Sequence, residues 1–218
     1  MELRSMAAPH IRRLGSLALT GVLSFITTCS AAQFARHDLN WLRAPLSSYL
    51  RGDYGWGVKA AYIGLSAALV LLAIGYYQAL SRAARSGAPA LLFVMAAIAL
   101  VVTALANSGS LSGPRWLESF VHNVAAAAAF VCVTTAMLLQ SWRFRADERW
   151  RHRFAVAFGL AVVSFGSLWW HVFLVESSRG LTQKTVIALI VGWLALAAWW
   201  LRQHGVAGQR APAEGSAA

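Results

Sequence analysis

Residues 35–57 read ARHDLNWLRAPLSSYLRGDYGWG, the longest break between apolar runs ahead of the C-terminal tail. The runs on either side, about 14–34 and 57–80, are each long enough to cross a hydrocarbon core of about 30 Å as helices rising 1.5 Å per residue. The break is therefore a connector on one side of a membrane, and further runs continue the series. These lie at about 90–107, 119–140, 154–176 and 185–201. The fold class expected is all-α, a polytopic bundle of six transmembrane helices. A polar, basic N-terminus (1–13) precedes it, a capping loop (35–56) covers one end, and a Gly-, Ala- and Pro-rich tail (202–218) is expected to be disordered.

Composition agrees with that reading. The chain has 218 residues, 58% hydrophobic and 12% charged, with the apolar residues in runs instead of alternating. The formal charge of +11 does not argue for a nucleic-acid partner, because the basic residues sit between apolar runs and not on one face. Cys29 and Cys132 each lie inside an apolar run and read as packed thiols. The first run also has the basic start and small-residue end of a signal peptide, at Ser30-Ala31-Ala32. A retained span is preferred because the apolar character continues through Phe34.

Six spans place both termini on one side. Seven of the 19 Lys and Arg residues then fall on the side of the 35–56 loop (Arg36, Arg43, Arg51, Lys59, Arg115, Arg179 and Lys184), leaving twelve on the side of the termini. Basic residues resist translocation, so the termini are expected in the cytoplasm and the loop outside it. Trp41, Trp56 and Trp116 then mark the outer boundary, and Trp142, Trp150, Trp199 and Trp200 the inner one. Ala60, Gly64 and Ala68 form a small-residue ridge for close helix approach. The run Ala125–Ala129 is expected to be tightly buried against neighbouring helices.

Polar residues gather on the outer side. Asn107 ends the third span, Glu118, His122 and Asn123 open the fourth, His171 and Glu176 close the fifth, and Gln183 and Lys184 open the sixth. The loop adds His37, Asp38, Ser47, Ser48, Tyr49 and Asp53. Ionisable groups at membrane depth are costly, so a cluster of them is a site hypothesis. Glu118 and His122 are one helical turn apart and share a face. With Asp53 they are the candidate catalytic set, the carboxylate orienting the imidazole as a general base. Ser47, Ser48, Tyr49, Asn107, Asn123, His171 and Lys184 are binding candidates. His122 and His171 at similar depth have the ligand type for a divalent metal or, more weakly, a haem. No HxxxH, HExxH or CxxC pair supports a metal, and no cofactor is predicted. Each has a plainer reading: a hydrogen-bonded His122, His171 in an aromatic cluster with Trp169 and Trp170, a weak Glu176–Arg179 ion pair, and Lys59 and Lys184 snorkelling to headgroups. Within the loop, Pro45 to Leu50 reads as one interfacial helical turn, and Gly52 to Gly57 as a tight turn re-entering the bilayer.

The run PLSSYLRGDYGWG ahead of a small-residue span resembles the bacterial and archaeal membrane family catalogued as domain of unknown function 998. That family shows a Pro, a Ser-rich turn with Tyr, and Gly-x-x-Gly-Trp before the second span. Its histidine opening the fourth span matches His122, followed by Asn123. Its Arg-Gly and Gln-plus-base pair before the last span match Arg179, Gly180, Gln183 and Lys184. The resemblance covers roughly 14–201 and departs at Asn107-Ser108-Gly109, where the family often has an acid. It implies six spans and no established activity. The localisation expected is the bacterial inner membrane, with membrane lipids as surroundings. The function expected is recognition of a lipid or small molecule in a pocket on the extracytoplasmic side. An outer-leaflet His/carboxylate hydrolase or transferase is the first alternative and a small transporter the second. The latter would need polar groups at mid-depth, where the chain has only Ser66, Thr103, Thr134, Thr135 and Ser164.

Overall fold

A computed structural model of the chain describes residues 2–106, 114–173 and 179–210, with side chains over 9–204 of these. Six helices follow one another: α1 (Glu2–Ala35), α2 (Gly55–Ala79), α3 (Gly87–Ala106), α4 (Arg115–Arg145), α5 (Phe154–Phe173) and α6 (Arg179–Arg210). Each contains a stretch long and apolar enough to cross a membrane, so the protein is an all-α, six-helix membrane-spanning bundle.

Every helix packs on its neighbours in sequence, and α6 closes the ring against α1. α2 reaches across to α6, whereas α4 and α6 meet sparsely, with α5 resting on both. Helical periodicity explains which side chains face inward. On α1 the buried positions Ile11, Leu14, Ala18, Val22, Phe25, Cys29 and Ala32 recur at intervals of three and four and form one stripe. On α5 the fully buried stripe is narrower, Ala157, Ala161, Ser164 and Leu168, and the helix's other side chains are half-buried or exposed.

Small residues set two tight seams of α1. A Cβ on Gly15 would lie 2.5 Å from the Arg202 backbone nitrogen, so α1 and α6 are in backbone contact there. A Cβ on Gly21 would lie 2.9 Å from the Gly64 carbonyl and 3.1 Å from the Ala68 Cβ. Gly64 and Ala68 of the α2 ridge therefore face Gly21 of α1, whereas Ala60 is exposed.

The ends of the helices differ from the apolar limits. α6 runs on to Arg210, through the first half of the segment expected to be disordered. The Arg202 guanidinium lies over Trp199, and the His204 ring packs 5.0 Å from Trp150, so this extension has partners. Residues 211–218 lie outside the described residues.

The face opposite the 36–54 loop is tied by a compact knot. Trp150 is fully buried, stacked on Phe144 at 5.3 Å and edge-on to Tyr76 at 5.2 Å, with the Arg153 guanidinium 4.9 Å from its ring centre. Its expected place as an interfacial anchor is thereby corrected. Trp142 and Trp199 do stay exposed, but Trp150 turns inward because the Asp147–Trp150 turn directs it under the helix ends. Asp147 accepts the Ser81 N–H at 2.8 Å and the Arg149 N–H at 3.0 Å, which joins the α2–α3 connector to the α4–α5 connector. Arg143 donates to the carbonyls of Ala83 and Ala84 in the α2–α3 connector, and Arg149 to that of Ala79, a helix-end oxygen of α2.

Candidate functional site

The 36–54 loop folds down onto the bundle. At its start Arg36 makes a two-pronged pair with Asp38, at 2.7 and 2.6 Å, and donates at 2.6 Å to the carbonyl of Arg51 near the loop's end. One guanidinium thus holds both ends of the loop together. That hydrogen bond keeps the Asp38 carboxyl below the usual carboxylate range. Pro45, fixed near φ −63°, opens a 3-10 turn over Leu46–Leu50, in keeping with the expected interfacial turn. The turn buries Leu46, Tyr49 and Leu50, three side chains that share one face at this spacing. Burial also pushes the Tyr49 phenol up.

The re-entry into α2 needs two left-handed residues, Gly52 at φ 75° and Tyr54 at φ 64°. Gly55 is required for a different reason: a Cβ there would sit 2.6 Å from the Leu50 carbonyl oxygen.

The first turns of α6 clamp the loop from the other side. Gly180 is buried against it, and a Cβ there would lie 2.6 Å from the Arg43 carbonyl group and 2.7 Å from the Ala44 oxygen. Gln183 Oε1 accepts the Leu46 N–H at 2.9 Å. Lys184 Nζ donates to the Trp41 carbonyl and sits 6.0 Å from the Trp41 ring centre and 5.5 Å from that of Tyr49. The expected snorkelling of Lys184 is corrected: its ammonium is turned into the loop, where a carbonyl and two rings receive it.

Beneath the loop the bundle holds a cavity of about 80 Å³. Its loop end is lined by Ser47, Thr103, His122 and Gln183, and its body by apolar side chains of α1, α2, α3, α4 and α6, including Phe25, Leu65, Leu100, Ala129, Val133 and Leu194. From His122 to Val133 on α4, and from Gln183 to Leu194 on α6, it runs eleven residues, about 16 Å along each helix. That depth is about half of a 30 Å hydrocarbon core. The alanine run 125–129 is not uniformly buried as expected. Ala125 and Ala129 are buried, Ala127 and Ala128 are exposed, and Ala126 and Ala129 line the cavity. A helix turns only one face inward, so short side chains on that face leave room instead of closing it.

His122 is half-buried, and its Nδ1 lies 3.0 Å from the Thr103 carbonyl oxygen. A carbonyl only accepts, so this nitrogen carries the hydrogen, and Nε2 is the acceptor of the neutral ring. Thr103 is in the last turn of α3, where carbonyls lack helical partners, so the contact also caps that helix. Glu118, one turn earlier, is buried and lies 3.9 Å from the Arg51 guanidinium.

The remaining candidates divide between the mouth and elsewhere. Ser47 lines the cavity with His122, while Ser48 is in the same turn but outside the lining. Asp53 is exposed, at the tether point of Arg36. Asn123 is exposed, one residue round the helix from His122. His171 Nδ1 lies 2.7 Å from Thr182 Oγ1 and ties α5 to α6, so the two histidines have partners on different helices. Asn107 and Glu176 lie outside the described residues. Among the described residues, no three His, Cys, Asp or Glu side chains gather as a metal-ligand set. Of the residues expected at mid-depth, Ser66, Thr134 and Ser164 each return their hydroxyl to the carbonyl four residues earlier, as does Thr103, which lies instead in the last turn of α3 at the loop end. Sequence reasoning noted Gln183 without a role and missed Thr103 as the partner of His122. The pattern Gly180-x-x-Gln183-Lys184, three and four residues apart on one helix face, was the available signal.

No curated protein matches the chain, and no solved structure does. The model of the family described as protein of unknown function (DUF998) matches residues 19–200, most of the chain, and the protein belongs to that family.

Proposed function

We propose that this protein binds a membrane lipid, taking one apolar chain into the cavity beneath the 36–54 loop. The observation that carries this reading is the cavity's polarity gradient: among the described residues its polar lining is Ser47, Tyr62, Thr103, His122 and Gln183, in the outer half, and its walls down to mid-depth are apolar. Left empty, apolar walls around about 80 Å³ would forgo roughly 2 kcal/mol of packing. An apolar chain restores those contacts, and the loop, fastened by Arg36, Gln183 and Lys184, is its lid. The distribution of Lys and Arg supports an extracytoplasmic loop and cytoplasmic termini.

A second reading, favoured by Ser47 and His122 lining one cavity, is an outer-leaflet hydrolase or transferase. In it His122 Nε2 takes the proton of a reacting hydroxyl, and Glu118 holds Arg51 beside the mouth.

The test is lipid analysis of protein purified in mild detergent, comparing wild type with Ala129→Phe, whose ring fills the cavity. Co-purified lipid at near one per chain in wild type, and its loss in a folded variant, is the expected result. Equal lipid content in both overturns the reading.

A further inference from the structure

Resting on the lipid-binding reading, we infer that the occupant is a single-chain lipid with an uncharged, hydroxyl-bearing head, of the long-chain alcohol or monoacylglycerol class. Three observations lead there. First, the cavity is narrow: at about 80 Å³ it has no room for two chains side by side. Its depth is that of one leaflet, so the chain comes from the loop side.

Second, among the described residues no Lys, Arg, Asp or Glu lines the cavity. The nearby charges are engaged elsewhere, Lys184 with the Trp41 carbonyl and Glu118 with Arg51. A phosphate or carboxylate drawn into this cavity would lose its hydration with no cation in the lining, and the one beside the mouth, Arg51, already faces the buried Glu118 carboxylate, whose charge repels an anion.

Third, the neutral groups at the mouth have fixed roles. Because Nδ1 of His122 is committed to Thr103, the ring offers Nε2 as an acceptor. Because Oε1 of Gln183 is committed to Leu46, that amide offers Nε2 as a donor. A hydroxyl donates to the first and accepts from the second, which a bare ester or ether oxygen does not.

The experiment is a binding titration on delipidated protein in detergent at neutral pH, read by thermal shift. Ligands of equal chain length are compared: a fatty alcohol, a monoacylglycerol, a fatty acid methyl ester and a lysophospholipid. The alcohol and monoacylglycerol are expected to bind at least about tenfold tighter than the other two. His122→Ala is expected to reduce that preference about tenfold, the loss of one hydrogen bond. Equal affinity for all four in wild type overturns the head assignment and leaves the lipid-binding reading standing. The ligand comparison within wild type decides this even if His122→Ala fails to fold. No binding by any of the four, with wild type also lipid-free on purification, overturns both.

Discussion

Gln183 on α6 accepts the backbone N–H of Leu46 at 2.9 Å, joining positions 137 residues apart in sequence. This side chain seats the loop's 3-10 turn on the bundle, and the same residue lines the mouth of the cavity. Gln183→Leu leaves the Leu46 N–H without its acceptor at a part-buried position. A loss of about 1–3 kcal/mol of local stability follows. Hydrogen exchange across 46–50 reads it as faster exchange in Gln183→Leu and near-native exchange in Gln183→Glu, which keeps an acceptor oxygen.

Close backbone approach makes a second, sharper prediction. Gly180→Ala places a methyl 2.6 Å from the Arg43 carbonyl group, and Gly15→Ala places one 2.5 Å from the Arg202 nitrogen. Neither neighbour is a flexible side-chain tip, so each variant is expected to lose about 1–3 kcal/mol. Gly159 and Gly192 have nothing within 4 Å of an added Cβ, and alanine there is expected to be neutral or mildly stabilising. Thermal unfolding in detergent separates the two pairs.

The Asp147 knot carries a pH dependence. Burial raises this carboxyl, but the N–H groups of Ser81 and Arg149 outweigh it and hold it below the ordinary range. The stability it contributes is complete above the unfolded carboxyl value of about 3.9 and is lost as pH falls through the lower folded value. Wild type is therefore expected to lose melting temperature on acidification in that window. Asp147→Asn should start lower by about 1–3 kcal/mol and show a flatter acid limb. Parallel acid limbs in the two proteins would count against this assignment.

Arg36→Gln removes the tether between the loop's two ends. The expected result is faster protease cleavage within 36–54, at unchanged helix content by circular dichroism, because the six helices do not depend on this contact. Asp38→Asn, which leaves the Arg36–Arg51 bond in place, should show a smaller change.

The six helices were legible because a membrane demands long apolar runs, and such runs are read locally. The interfacial turn after Pro45 was legible for the same reason, since proline and the Leu-Ser-Ser-Tyr-Leu pattern act within one turn. Trp150 was misplaced because a tryptophan beside arginines reads as an interfacial anchor, whereas here the arginine lies over its ring and aromatic neighbours from α2 and α4 enclose it. Lys184 was misplaced because its carbonyl partner, Trp41, lies 143 residues away. The alanine run pointed to packing, and only the surrounding helices reveal that Ala126 and Ala129 open a cavity. The candidate residues share the loop side of the chain's span pattern, but which of them meet, and with what partners, depends on tertiary neighbours. His122 goes to Thr103, Glu118 to Arg51 and His171 to Thr182.

The account stands most directly on whether an apolar chain enters the cavity under the loop. Photo-crosslinking answers that, using a single-chain lipid alcohol with a diazirine midway along its chain, followed by peptide mapping. The account predicts adducts on the inner faces of α4 and α6, around Phe130, Val133, Ile190 and Leu194, and their loss in Ala129→Phe. Adducts confined to lipid-facing residues such as Val163 and Trp170, unchanged in Ala129→Phe, would contradict it.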